Sequence, residues 1–256
     1  MKRAAKAVSL ILVLVLFALM ALGSGSGGSS EPSGESAGSD KSASSSKGAS
    51  SSKKDAYEVG EGKAVVYADN IGTTWVQISV PVKNTGDTNL YLSAATMDLE
   101  DSTGHLVDSK SLVSVYPQVI KPGETAWYYE ETTLDETPSS ELAVVPHVDV
   151  KSAKVDCVRY EVSDVSLIND TYGGIKVTGR VENTTDKDES GVYVVILFYD
   201  KDDALLGQAF TIMTDELKAG EKMGFSATTF SSYDAFRVEN VARYEVYAYT
   251  FQYQFG

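Results

Sequence analysis

At 256 residues and a formal net charge of −14, the chain is long enough for two domains and too acidic to grip phosphate, which excludes nucleic acid as a partner. Charge of this sign and size serves solubility outside the cell. A single cysteine, Cys157, rules out an intrachain disulfide, so any core must be held by packing alone.

The N-terminus opens with Lys2, Arg3 and Lys6, then an apolar run over residues 7–22 broken only by Ser9, then small residues, the pattern of an export signal. Residues 1–23 therefore read as a cleaved signal peptide or as a retained membrane anchor, since the run approaches the ~18 residues a span requires. Lipidation would need a cysteine just after the small residues; Gly23, Ser24 and Gly25 stand there, so no N-terminal lipid anchor is expected. The expected location is extracellular or at the cell surface, touching a membrane only through an uncleaved leader. Residues 24–56 are rich in Ser and Gly with too few apolar groups to fold, a flexible tether with a reach of about 30 Å. Gly23, Gly25 and Gly28 satisfy G-x-G-x-x-G in form only, because the nucleotide fingerprint needs a strand before it and a helix after it.

From residue 57 onward one pattern occurs twice. In the second copy Ile175, Val177 and Val181 alternate on one face around Gly179, and in the first Val76, Ile78, Val80 and Val82 do the same; both strands end in an asparagine, Asn84 or Asn183, that begins a polar loop. The next strand, residues 192–199, is apolar on both faces, as for a strand covered on each side or packed against a neighbouring domain. Its counterpart is residues 91–99. Polar hairpin turns follow at 200–203 and 101–104, and Lys121-Pro122-Gly123-Glu124 matches Lys218-Ala219-Gly220-Glu221, with Gly placed for the positive φ of a type II turn. Tyr128 then matches Phe225, and residues 143–150 align with 241–248. A spacing near one hundred residues is about one immunoglobulin-type sandwich. The expectation is all-β: two tandem immunoglobulin-like β-sandwiches, residues 57–152 and 153–256, joined so closely near 151–154 that a fixed arrangement follows.

The run Ile196-Leu197-Phe198-Tyr199-Asp200 resembles the signature of FxLYD-type domains, with Ile in place of the leading Phe and Phe in place of the Leu; Gly179-Arg180-Val181-Glu182-Asn183 and Ala219-Gly220-Glu221 fit as well. The resemblance covers mainly residues 155–230. It implies a small immunoglobulin-like sandwich of bacterial envelope and secreted proteins, with no catalytic residues to carry over. Copy 1 reads Met97-Asp98-Leu99-Glu100-Asp101 at the signature and belongs through the repeat.

Candidate site residues are few. Asp200, Asp202 and Asp203 gather at one hairpin, with Asp186, Asp188 and Glu189 on the preceding loop, and calcium takes such oxygen-rich loops; Lys201 inside the group and the missing Gly and distal Glu of an EF-hand favour a plain polar turn. The last strand carries Tyr247, Tyr249, Phe251, Tyr253 and Phe255 on one face, which reads as core or, at Tyr249, Tyr253 and Phe255, as a surface for a ligand or partner. Cys157 shares a face with Val155 and Arg159, opposite Val158, Tyr160 and Val162, and reads as a packed thiol. The only histidines, His105 and His147, belong to no metal-ligand or nucleophile spacing, and the acidic pairs Glu130-Glu131 and Asp135-Glu136 read as solvated. No cofactor is expected.

Three function classes follow. The first is an exported noncatalytic binding or spacer module of the bacterial cell envelope, recognising an envelope or extracellular protein or glycan. The second is a structural or assembly partner in an envelope complex, joined through an edge strand. The third is a hydrolase using acidic residues, for which no motif with a mechanism is present.

Overall fold

The computed structural model describes residues 53–252 apart from 155, 172, 230 and 232; the expected leader at residues 1–23 and most of the expected tether lie outside them. The described chain is all-β, its sheets packed in sandwich-like arrangements. No helix among the described residues is long and apolar enough to cross a membrane. The folded body reaches back to a 3-10 turn at Lys53–Asp55, where the sequence reading still had tether: Ser152 and Thr88 hydroxyls donate to the Asp55 carboxylate and fasten it.

The N-terminal lobe runs through β1 (Tyr57–Val59), β2 (Lys63–Ala68), β3 (Thr74–Asn84), β4 (Leu90–Leu92), β5 (Ala95–Glu100), β6 (Leu106–Tyr116), β7 (Val119–Ile120), β8 (Thr125–Thr133), β9 (Ala143–His147) and β10 (Val150–Ser152). The C-terminal lobe has β11 (Asp156–Asn169), β12 (Ile175–Glu182), β13 (Val192–Tyr199), β14 (Leu205–Met213), β15 (Lys222–Thr228) and β16 (Arg243–Gln252). Pairing repeats between them. β3 lies between β2 and β8 as β12 lies between β11 and β15, and β5 lies between β6 and β9 as β13 lies between β14 and β16. In the C-terminal lobe the long β11 joins the two layers, pairing first with β16 and then, past a bulge at Ser163–Ser166, with β12. A bulge bends a strand, which lets one strand serve both layers. The N-terminal lobe instead joins its layers where β6 meets β8.

Register bears out the match of Tyr128 with Phe225: Tyr128 stands opposite Val80, and Phe225 opposite Gly179. A Cβ on Gly179 would come within 2.6 Å of the Phe225 ring, so the glycine is the hole that the ring fills. The last strands need a correction. Ala143 pairs with Glu100 and Arg243 with Tyr199, so Ala143 corresponds to Arg243 and not to Val241. A slip of two residues keeps every side chain on its face, which is why alternation could not reveal it.

The two asparagines that end β3 and β12 are fully buried and make the same bonds twice. Asn183 Nδ2 donates to the carbonyls of Lys187 (2.7 Å) and Leu217 (2.9 Å), while its Oδ1 accepts from the Thr185 N–H (3.0 Å). Asn84 Nδ2 donates to Thr88 (2.8 Å) and Ile120 (3.1 Å), and its Oδ1 accepts from the Gly86 N–H (3.0 Å). Each asparagine's backbone also bonds the Gly-Glu turn, Gly123-Glu124 or Gly220-Glu221. Two sequence signals a third of a domain apart are therefore one device, which satisfies the polar groups of two loops at the closed end of each sandwich.

Each lobe has its own core, centred on Ile78, Leu92, Met97, Leu99 and Tyr128 in the first and on Val177, Ile196, Phe198, Phe225 and Phe236 in the second. β13 is buried on both faces: Val192, Val194, Ile196 and Phe198 enter the C-terminal core, whereas Val195, Leu197 and Tyr199 turn outward into a third cluster with Tyr129, Trp127 and Tyr116 of the other lobe. Full burial of such side chains contributes roughly 1.5–3 kcal/mol each. The corresponding outward positions of β5 are Thr96, Asp98 and Glu100, none fully buried, and Asp98 there binds Ser109 and His147. Outward positions of β12 and β15 include the exposed Thr178, Arg180, Lys222 and Ser226.

The chain enters, crosses over and leaves at one end of the pair. Tyr57 pairs with Asn84, Ser152 with Leu90 and Asp156 with Gln252, all at the end marked by the buried asparagines. At the opposite end lie four hairpin turns that share one construction, led by Asp69, Asp101, Asp170 and Asp200, each of whose N–H groups donates to the carbonyl four residues on. The lobes point the same way. Arg159, near the asparagine end, donates to the Val119 carbonyl (2.9 Å), and Tyr67, beside a hairpin, packs on Tyr233 of the 229–242 loop, with ring centroids 5.2 Å apart.

Candidate binding cleft between the lobes

The outer face of β2, β3 and β8 meets the outer face of β13, β14 and β16. Tyr116 stacks on Phe210 with centroids 5.1 Å apart, Trp127 meets Tyr199 edge-on, and Tyr249, fully buried, stacks on Tyr193. Tyr249 is thus corrected as a site for an outside partner: its face is covered by the other lobe, and its hydroxyl reaches the backbone at Gln118. The sandwich's own core takes the opposite face of β16, at Val246 and Ala248. Tyr253 and Phe255 lie outside the described residues. Arg159 lies over both Tyr247 and Tyr249 and bonds Glu124 (3.1 Å), stitching the asparagine end of the joint. Cys157 packs beside it, with burial pushing its thiol up and the Arg159 charge opposing, as for a packed, unreactive thiol.

Glu131 is the residue that sequence reasoning misplaced. Read as solvated, it is half-buried and accepts from the Tyr67 hydroxyl, Gln77 Nε2 (2.9 Å) and the Tyr129 hydroxyl (3.0 Å). Gln77 also reaches Ser231 Oγ across the joint, 154 residues away in sequence. Glu130 is half-buried too, and burial pushes its carboxyl up against the pull of Lys110. A second carboxylate, Glu245, accepts from Tyr199, Tyr247 and Arg243 on the other lobe. The Asp135-Glu136 pair is exposed.

These tyrosines predict an alkaline limit. Burial first, and next the neighbouring carboxylates, hold the phenols of Tyr67, Tyr129, Tyr199 and Tyr247 above their ordinary value. Folded, they keep protons that the unfolded chain loses above about pH 10, so stability is unaffected below that pH and falls as pH rises past it. Urea midpoints measured from pH 8 to 11 are expected to be flat and then to decline; a midpoint still level at pH 11 would contradict the buried phenols.

The acidic hairpin is not assembled as an ion site. Asp200 Oδ1 accepts from the N–H groups of Asp202 and Ala204, each at 2.9 Å. Asp202 pairs with Lys201, and Asp203 with Arg243, whose hydrogen bond holds the Asp203 carboxyl below its usual range. Among the described residues no three His, Cys, Asp or Glu side chains converge to hold a metal. The expected result is a thermal midpoint that is the same in excess calcium and in chelator; a calcium-dependent rise would restore Asp200, Asp202 and Asp203 as ligands.

Where the lobes splay apart at the hairpin end, a cleft of about 410 Å3 opens between Lys63, Val65 and Gln77 on one side and Leu205, Leu206, Tyr233 and Asn240 on the other. A second hollow of about 350 Å3 shares Lys63 and Leu205 with it and continues toward Ser79 and Trp127. The two adjoin at Lys63 and Leu205 to form a groove of mixed polar and apolar lining, in the size range of ligand sites and at the kind of boundary where such sites occur. The sequence held no sign of it, since its walls come from opposite halves of the chain. No protein-family model matches the chain, and no curated protein matches it.

Proposed function

We propose that the chain is an exported, noncatalytic binding module of the bacterial cell envelope, two divergent FxLYD-type sandwiches carried on a flexible tether, and that its ligand lies in the groove between the lobes. The observation that carries this reading is polarity along the body. The chain enters and leaves at the asparagine end, while the groove opens at the hairpin end, so a body attached through the chain that precedes Lys53 presents the groove away from its attachment. The packed joint between the lobes supports it as well, because a groove built from two lobes keeps its shape only if they do not swing. The test is capture of envelope components on the immobilised full chain and on a Lys63→Glu/Lys201→Glu variant, whose substitutions lie on exposed groove residues. Saturable capture by the first and its loss in the second is the expected result; equal capture by both would place the binding surface elsewhere.

A further inference from the structure

We propose that the folded chain joins its own lobes covalently: the Ser231 hydroxyl attacks the side-chain amide of Gln77, releasing ammonia and leaving an ester between the two residues. They lie 154 positions apart in sequence and on opposite lobes, with Ser231 Oγ 3.5 Å from Gln77 Nε2, and both are buried, at 4% and 5% exposure. That distance is long for a hydrogen bond, so the contact is a close approach of hydroxyl to amide that leaves the amide nitrogen to its nearer acceptor, Glu131. Register places the groups around it. Val65 of β2 and Glu131 of β8 stand opposite Gln77 on the two neighbouring strands, and Tyr67 follows Val65 on the same face. Ser231 is held from behind by the turn that joins β11 to β12, where a Cβ on Gly173 would meet the Ser231 carbonyl at 2.7 Å.

The hydrogen bonds run in the direction that this reaction needs. Ser231 Oγ accepts from the Tyr233 N–H (3.1 Å), and its own hydrogen is donated to the Tyr67 oxygen. Tyr67 donates to one oxygen of Glu131, and Gln77 Nε2 donates to the other at 2.9 Å. As the bond from Oγ to Cδ of Gln77 forms, the serine proton passes to Tyr67 and the Tyr67 proton to Glu131, so the carboxylate is the general base and acts through the phenol. Glu131 then gives that proton to Nε2, which it already touches; the Cδ–Nε2 bond breaks and ammonia leaves by the cleft, which Gln77 lines. Glu131 and Tyr67 end as they began, and no oxidant, reductant or co-reactant is needed. Burial of both partners keeps water from the ester once it is made. Because Gln77 and Tyr233 line opposite sides of the cleft, the bond ties its walls together whatever the groove binds.

Intact-mass spectrometry of the full chain, with tandem spectra of its digest, is the test. The expected result is a folded protein lighter by one ammonia than the sequence it retains, with the peptides that hold Gln77 and Ser231 linked to each other and parted by hydroxylamine, which cleaves esters. Ser231→Ala removes the nucleophile and Glu131→Gln the base, and each is expected at its full sequence mass with no linked peptide. Tyr67→Phe keeps the ring and breaks the relay; in samples taken after cell-free synthesis it is expected to link at least about tenfold more slowly than the wild type. Folded wild-type protein that stays at full mass through prolonged incubation overturns the proposal, as does an ammonia loss that persists in Ser231→Ala. Linkage as complete in Glu131→Gln as in the wild type overturns the mechanism.

Discussion

Asn183→Ala is expected to destabilise the C-terminal lobe by about 2–4 kcal/mol, because it takes a partner from one buried and two part-buried backbone groups at once and an unsatisfied buried group costs about 1–3 kcal/mol. The Lys187 carbonyl loses its Nδ2 donor, the Leu217 carbonyl loses one of two donors, and the Thr185 N–H loses its acceptor. Asn183→Asp is expected to cost as much or more, since a carboxylate would face two carbonyl oxygens in place of the amide that donates to them. Asn84→Ala is the matched experiment in the N-terminal lobe, where the same bonds run to Thr88, Ile120 and Gly86. Urea unfolding of the four proteins decides it. Losses below about 1 kcal/mol would mean that water or loop movement replaces the amide, and that the asparagine is an ordinary loop residue.

Tyr249→Ala should cost about 3–5 kcal/mol as a large-to-small change at a fully buried aromatic, and it should also change the form of the transition. The side chain sits in the joint and not in the core of its own sandwich, stacked on Tyr193 beneath Arg159. Its loss removes coupling between lobes and leaves each lobe's core intact, so one cooperative unfolding step is expected to separate into two. Tyr249→Phe keeps the ring, gives up only the hydroxyl's bond at Gln118, and is expected to cost about 1 kcal/mol with a single step retained. Calorimetry distinguishes these outcomes; a Tyr249→Ala protein that unfolds in one step at a lowered midpoint would show that the lobes stay coupled without it.

Alternation and repetition made the strands and the match of Tyr128 with Phe225 legible, because both are local properties of a pleated chain, whereas the opposition of Phe225 and Gly179 came only with the register. The double-faced apolarity of residues 192–199 was legible too, as the mark of a strand covered on each side or packed against a neighbouring domain, and the structure shows the second. Which neighbour was not: the outward half of β13 meets Trp127 and Tyr129, and nothing in either segment's own pattern names the other. Glu131 was misread for the same reason. Acidity argues for water when only the chain neighbours are known, and the groups that hold this carboxylate in the joint, from Tyr67, Gln77 and Tyr129, converge on it only once three strands lie side by side.

The outward faces left uncovered by the joint bear on how many copies such a chain can hold. Copy 2 docks through Val195, Leu197 and Tyr199, and copy 1 has Thr96, Asp98 and Glu100 at those positions, while the face of copy 2 that corresponds to the docking face of copy 1 carries Thr178, Arg180, Lys222 and Ser226. Docking is head-to-tail, a geometry that can in principle extend into a filament. Among the described residues neither of these uncovered faces carries the aromatic surface that the joint uses, so a further duplication of either copy would add a bead without adding this joint.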